Sequence, residues 1–175
     1  IHLIDHHLAH ALSTYCLSGF EESAVLVVDG RGSREATTLW RADGNGLSLL
    51  ESYDYPDSLG LFYAALTGIL GFQPLSDEWK VMGLAPYGKP TYVDQFRKVV
   101  DIRGDGSFRL NMDYFAFTWS TQRTFNRRWE QLFGRPQRPK ETELDEFHQD
   151  IAHSGQKIVE EIMVKMATHV HRVTG

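Results

Sequence analysis

The chain has a single cysteine, Cys16, among its 175 residues. A lone thiol cannot build an internal disulfide framework, and such usage fits a reducing, cytoplasmic compartment. Cys16 follows Tyr15 on an apolar helix and reads as a buried, inert thiol. No apolar run approaches the length of a membrane span and no signal-peptide pattern opens the chain, so no membrane partner is expected. Positive charge is also scarce: 18 lysines and arginines face 23 acids, a net charge of −5. The densest basic stretch, Arg123 to Arg138, is spaced by aromatics and broken by acids, so it offers no footprint for nucleic acid.

What is present fits one α/β domain with a sizeable core. The chain starts at Ile1 rather than Met and stops at Val173-Thr174-Gly175, a helix exit with a C-cap glycine. It reads as an excised piece of a longer protein. Ile1-His2-Leu3-Ile4 alternates like the end of a strand, which makes His2 structural. His6 to Leu17 reads as a helix stopped by Ser18-Gly19. Ala24–Val28, Ala36–Arg41 and Leu47–Tyr55 read as three meandering antiparallel strands, the last two joined by Asp43-Gly44-Asn45-Gly46. Ser58 starts a helix with the stripe Leu59, Phe62, Tyr63, Leu66 and Leu70, ended by Gly71. Ser76-Asp77-Glu78 caps a short helix stopped by Gly83, and Ala85–Gly88 is a tight turn. Tyr92–Val99 is a further helix, and Asp105-Gly106 separates two short strands near Ile102 and Phe108–Leu110. Residues 111–140, with an aromatic stretch and a helix near Arg123–Phe133, read as an insertion, with Pro136–Pro139 as a linker. Thr142 then caps a long helix on which Phe147, Ile151, Ile158, Ile162, Met166 and Val170 keep helical spacing. Gly155 interrupts that stripe and predicts close packing. His148, His153, His169 and His171 read as surface or cap histidines.

Three clusters carry chemistry. His6 and His10 stand four apart, which places both imidazoles on one helix face, where they can share a metal ion. His7 lies about 100° around the helix from His6, so only one histidine pair can face a single ion. Asp29 closes the apolar run Ala24–Val28 and opens a glycine turn, a place suited to a third, oxygen ligand. Asp29-Gly30-Arg31-Gly32-Ser33 can cradle a phosphate through backbone amides, or be only a hairpin turn. Lys80, beside Asp77 and Glu78, can hold an anion as a point charge, or be an exposed lysine paired to a nearby acid; residue chemistry alone favours the pair.

Four segments taken together resemble a known family. They are His6-His7-Leu8-Ala9-His10-Ala11, Val27-Val28-Asp29-Gly30-Arg31-Gly32, Ser58-Leu59-Gly60-Leu61-Phe62-Tyr63 and Lys80-Val81-Met82-Gly83-Leu84-Ala85-Pro86-Tyr87-Gly88. They are similar, in order, to the amino-terminal domain of the O-carbamoyltransferases, which include the nodulation-factor and antibiotic carbamoyltransferases. Asp105 to Phe115 resembles them too.

The resemblance implies a partial ribonuclease-H-like/actin-like ATPase (ASKHA) fold, the duplicated fold shared with actin, sugar kinases and the Kae1 proteins. Residues 1–20 would hold the last helix of the first half and residues 21–175 the second half. It implies transfer of a carbamoyl group from carbamoyl-adenylate to a hydroxyl of a small molecule or glycan. The adenylate would be made from carbamoyl phosphate and ATP by a YrdC-like domain elsewhere in the full protein. His6, His10 and Asp29 would hold iron(II) or another divalent metal, with a fourth ligand outside this chain. Gly30 and Gly32 would approach phosphate, and Glu78, Lys80 and Gly83 would contact the nucleotide adduct. The sequence departs from the family where Ser33-Arg34 precedes Glu35, because many members place an acid sooner after the second glycine. Two other readings are a relative of the tRNA threonylcarbamoyl-transfer proteins and a non-catalytic piece that binds metal or a partner. Residues 1–175 alone are expected to transfer nothing, to hold metal weakly, and to self-associate, as a homodimer for instance.

Overall fold

The computed structural model describes residues 2–175. Helix α1, His6–Ser18, is capped by Asp5, whose carboxylate accepts from the Leu8 amide, and ends at Gly19 with φ 75°. Strands β1 (Ser23–Val28), β2 (Glu35–Asp43) and β3 (Gly46–Asp54) form an antiparallel meander in the order β1-β2-β3. Val27 stands opposite Thr38 and Val28 opposite Thr37. Helices α2 (Leu59–Ile69), α3 (Glu78–Leu84) and α4 (Val93–Val99) follow. The hairpin of β4 (Val100–Ile102) and β5 (Phe108–Leu110) leads to α5 (Arg128–Phe133), and α6 (Glu146–Thr174) closes the described chain.

The apolar run of β1 is continuous because both sheet faces are covered. Val25 and Val27 face α1 in a small core with Ala11, Trp40 and Ala42. Leu26 and Val28 face the large core, built around α2 and α6 with Phe62, Leu66, Phe96, Ile151, Ile158 and Ile162. Gly155 meets Leu66 there as its place in the stripe predicts, since a Cβ would lie 2.4 Å from Leu66 Cδ2.

Several expectations are corrected. Residues 2–5 form no strand and His2 to Ile4 are exposed, while Ile1 lies outside the described residues. Cys16 is exposed. It stands nine residues from the buried His7, about 180° around the helix and away from the sheet. Gly83 does not stop α3, which runs to Leu84 and into a 3-10 turn at Ala85–Tyr87. The long helix is capped by Asp145 in a box with His148, not by Thr142. Phe115, Trp129 and Phe133 belong to the large core, so residues 111–140 supply part of its packing. The linker is tied down by Arg138, which is buried and donates through Nε to Leu70 O and through its fork to Thr142 O. Nor are all four late histidines surface or cap groups. His153 Nδ1 sits 2.9 Å from Ala85 O, and His169 Nε2 sits 2.6 Å from Glu51 Oε1, tying α6 to β3.

Candidate metal centre

Two elements bring three donor atoms together. The first turns of α1 present His6 and His10, and the end of β1 presents Asp29. His6 Nε2 lies 2.6 Å from Asp29 Oδ2, His10 Nε2 lies 3.1 Å from His6 Nε2, and His10 Nε2 lies 3.7 Å from Asp29 Oδ2. Metal–ligand bonds of about 2.0–2.2 Å put neighbouring donors about 2.8–3.6 Å apart in octahedral or tetrahedral sets. The His6–His10 separation falls inside that range and the other two lie just beyond its ends, so small side-chain shifts would let the three donors close on a small divalent cation. Both imidazoles are about half exposed and Asp29 is one-third exposed, which leaves coordination positions open toward solvent.

The carboxylate is held from its other side. Asp29 Oδ1 accepts from the Gly30 amide at 2.6 Å. Burial pushes the Asp29 carboxyl up, but the hydrogen bonds from His6 and Gly30 outweigh it and hold the group below its ordinary value. The N-terminus of α2 supports the same turn. Ser58 Oγ donates to Gly30 O at 2.6 Å and accepts from the Leu61 amide at 3.0 Å. Gly60 lies directly against Gly30.

The remaining predicted residues stand elsewhere. Lys80 Nζ pairs with Asp77 Oδ2 at 3.0 Å and lies near the Phe72 and Trp79 rings, which is the paired-lysine arrangement. Glu78 Oε1 accepts from the Leu75 amide at 2.6 Å. Neither makes a hydrogen bond or ion pair with the triad. Lys80 instead lines a cavity of about 300 Å³ with Asp77, Arg138 and Lys140. Gly83 has open space where a Cβ would stand. Gly32 has a packing reason of its own, because a Cβ there would sit 2.5 Å from His7 Cδ2. The sequence places Ser58 at a helix start and His7 beside the histidine pair, but gives neither a role in supporting the Asp29 turn.

Comparison with known proteins agrees with the resemblance. The family model described as the carbamoyltransferase N-terminus matches residues 1–174. An uncharacterised Synechocystis sp. protein, sll1178, is 41% identical over 172 residues, 98% of this chain and 28% of its own length. The nodulation protein NolNO of Sinorhizobium fredii is 32% identical over 176 residues, 100% of this chain and 24% of its own. The nodulation protein NolO of Bradyrhizobium diazoefficiens is 32% identical over 173 residues, 98% of this chain and 29% of its own. The chain belongs to the carbamoyltransferase family and matches its N-terminal region. It spans about a quarter of the length of these relatives.

Proposed function

We propose that this chain supplies the metal-holding part of an O-carbamoyltransferase. The observation that carries this reading is the convergence of His6, His10 and Asp29, whose donor atoms all lie within 4.8 Å of one another, in a member of this family. The three residues would hold iron(II) or another divalent cation. When bound, the cation would stabilise negative charge on the phosphate of a carbamoyl-adenylate donor as an acceptor hydroxyl attacks. The chain's own residues prepare that event. His6 and His10 would turn Nε2 toward the cation, and the Gly30 amide fixes the Asp29 oxygen that faces away from the imidazoles. Ser58 steadies Gly30, and Gly30 and Gly32 would lie along the approach for phosphate, their amides donating within the turn to Asp29 Oδ1 and Glu35 O. Glu78, Lys80 and Gly83 would meet the rest of the nucleotide.

In this reading α1 is the last helix of the first half of a ribonuclease-H-like domain, and the three-stranded meander with α6 and the helices between belongs to the second half. Carbamoyl phosphate and ATP would be joined by a YrdC-like domain of the whole protein, and the acceptor would be a hydroxylated small molecule or glycan. The test uses the whole protein with labelled carbamoyl phosphate, ATP and a panel of hydroxylated acceptors. Labelled carbamoyl ester that disappears in the His6→Ala and Asp29→Asn variants is expected. Undiminished product from both variants would remove the metal centre from the reaction.

A further inference from the structure

His7 stands between the two metal-facing histidines in sequence and points away from them. It is 0% exposed and packs with Ala11 against the sheet. Its Nδ1 lies 2.9 Å from Thr38 Oγ1 on β2, and Trp40 Nε1 donates to the same oxygen at 2.8 Å. In one arrangement Trp40 donates to Thr38 Oγ1 and the Thr38 hydroxyl donates to His7 Nδ1. The ring proton then sits on Nε2, which is buried and has no partner among the described residues. That nitrogen lies beneath the turn opened by Asp29, 2.9 Å from where a Cβ on Gly32 would stand. The turn is in turn closed by the Gly32 amide, which donates to Glu35 O at 2.7 Å.

A buried donor without an acceptor is unfavourable, and an apolar side chain would fill the same space without it. The arrangement has two geometric consequences that an apolar residue would not supply. The Thr38 bond fixes the rotation of α1 about its axis, and a helix turned by one residue step carries its side chains about 100° away. The imidazole edge also lies against Gly32, in the turn that follows Asp29. Both halves of the donor set, on α1 and on β1, are thus registered against one ring.

We infer that His7 is a positioning residue for the His6–His10–Asp29 centre, acting through its hydrogen bond to Thr38 and its contact with Gly32. This rests on the triad being a metal site, and the experiment separates the two claims. Cobalt(II) is titrated into the whole protein, with affinity read by calorimetry and ligand geometry by the visible d–d bands. Fold is checked in each variant by circular dichroism. Thr38→Val, which is isosteric, and His7→Leu are each expected to weaken cobalt binding about 10–100-fold, the scale set by losing an outer partner of a ligand, and to shift the d–d bands. His7→Asn, which can place an amide against Thr38, is expected to recover most of the affinity. Should His7→Leu fail to fold, Thr38→Val carries the test alone. Wild-type affinity and spectrum in the folded variants overturns the role of His7 and leaves the metal reading standing. A wild-type protein that takes up no cobalt overturns both.

Discussion

Gly60 touches Gly30 backbone to backbone: a Cβ on Gly60 would lie 2.8 Å from both Gly30 Cα and Gly30 N. This contact lets the first turn of α2 reach the strand end that carries Asp29, so that Ser58 can bond to Gly30 O. Gly60→Ala therefore pushes against main chain, which cannot swing aside as a flexible side chain does. The expected cost is about 1–3 kcal/mol in denaturant unfolding, the usual range for overpacking. A variant with unchanged stability would show that the turn yields freely.

Arg138 makes a second prediction. Its guanidinium is buried, bonds to Leu70 O and Thr142 O, and lies 4.8 Å from the Phe72 ring. Burial pulls its pKa down. Its hydrogen-bond partners are carbonyls rather than acids, Leu70 O at the end of α2, where the helix dipole favours a cation, and Thr142 O. Arg138→Met leaves two carbonyls without that donor and is expected to cost about 2–3 kcal/mol. Arg138→Lys should recover little, because one ammonium cannot reproduce the fork. Full recovery by lysine in thermal melts would reduce the site to simple charge.

The Glu51–His169 pair predicts a pH dependence. Burial pushes the Glu51 carboxyl up, but hydrogen bonds from His169 and from the Tyr53 hydroxyl, at 2.6 and 2.5 Å, outweigh it and hold the group below its ordinary value. The unfolded chain therefore binds the proton first. The stabilisation is complete above the ordinary value of 4.5 and is lost as pH falls through the lower folded value. Glu51→Gln is expected to lower the melting temperature at pH 7 and to flatten its fall below about pH 4.5. Parallel melting curves for wild type and variant between pH 7 and pH 3 would contradict this. The carboxylate is about one-third exposed, so the effect is a modest one, weakened by solvent.

Sequence and structure agree best where geometry is local. The spacing of His6 and His10 follows from helix periodicity, and the place of Asp29 follows from the end of an apolar strand. The three strands and the buried stripe of α6 were legible for the same reason. What pattern could not show is distant in sequence. His7 meets Thr38 across 31 residues, a pairing that depends on how α1 sits on the sheet. His169 meets Glu51 across 118 residues, and nothing in either segment announces it. Thr142 and Asp145 are both capable caps three residues apart, and the histidine at the third helical position decides for Asp145 by completing the reciprocal pair. The exposure of Cys16 follows only once His7 is known to face the sheet, nine residues and about 180° away on α1.

The donor set predicts a graded response to ligand loss. His6 is the central member, 2.6 Å from Asp29 and 3.1 Å from His10, whereas His10 and Asp29 stand 3.7 Å apart. His6→Ala removes the atom closest to both others and is expected to abolish cobalt(II) binding, a loss beyond the roughly 10–100-fold seen for outer partners. Asp29→Asn keeps an oxygen but removes the charge that attracts a cation, and should weaken binding by about the same factor. Their effects on folding should differ from those on binding. Both imidazoles are about half exposed, so His6→Ala leaves no cavity and should keep its melting temperature in the absence of metal. Asp29→Asn also unbalances the Gly30 amide that its Oδ1 accepts, and should melt earlier. Equal destabilisation by both substitutions, with cobalt affinity intact, would mean that the three side chains form a hydrogen-bonded cluster serving the fold alone.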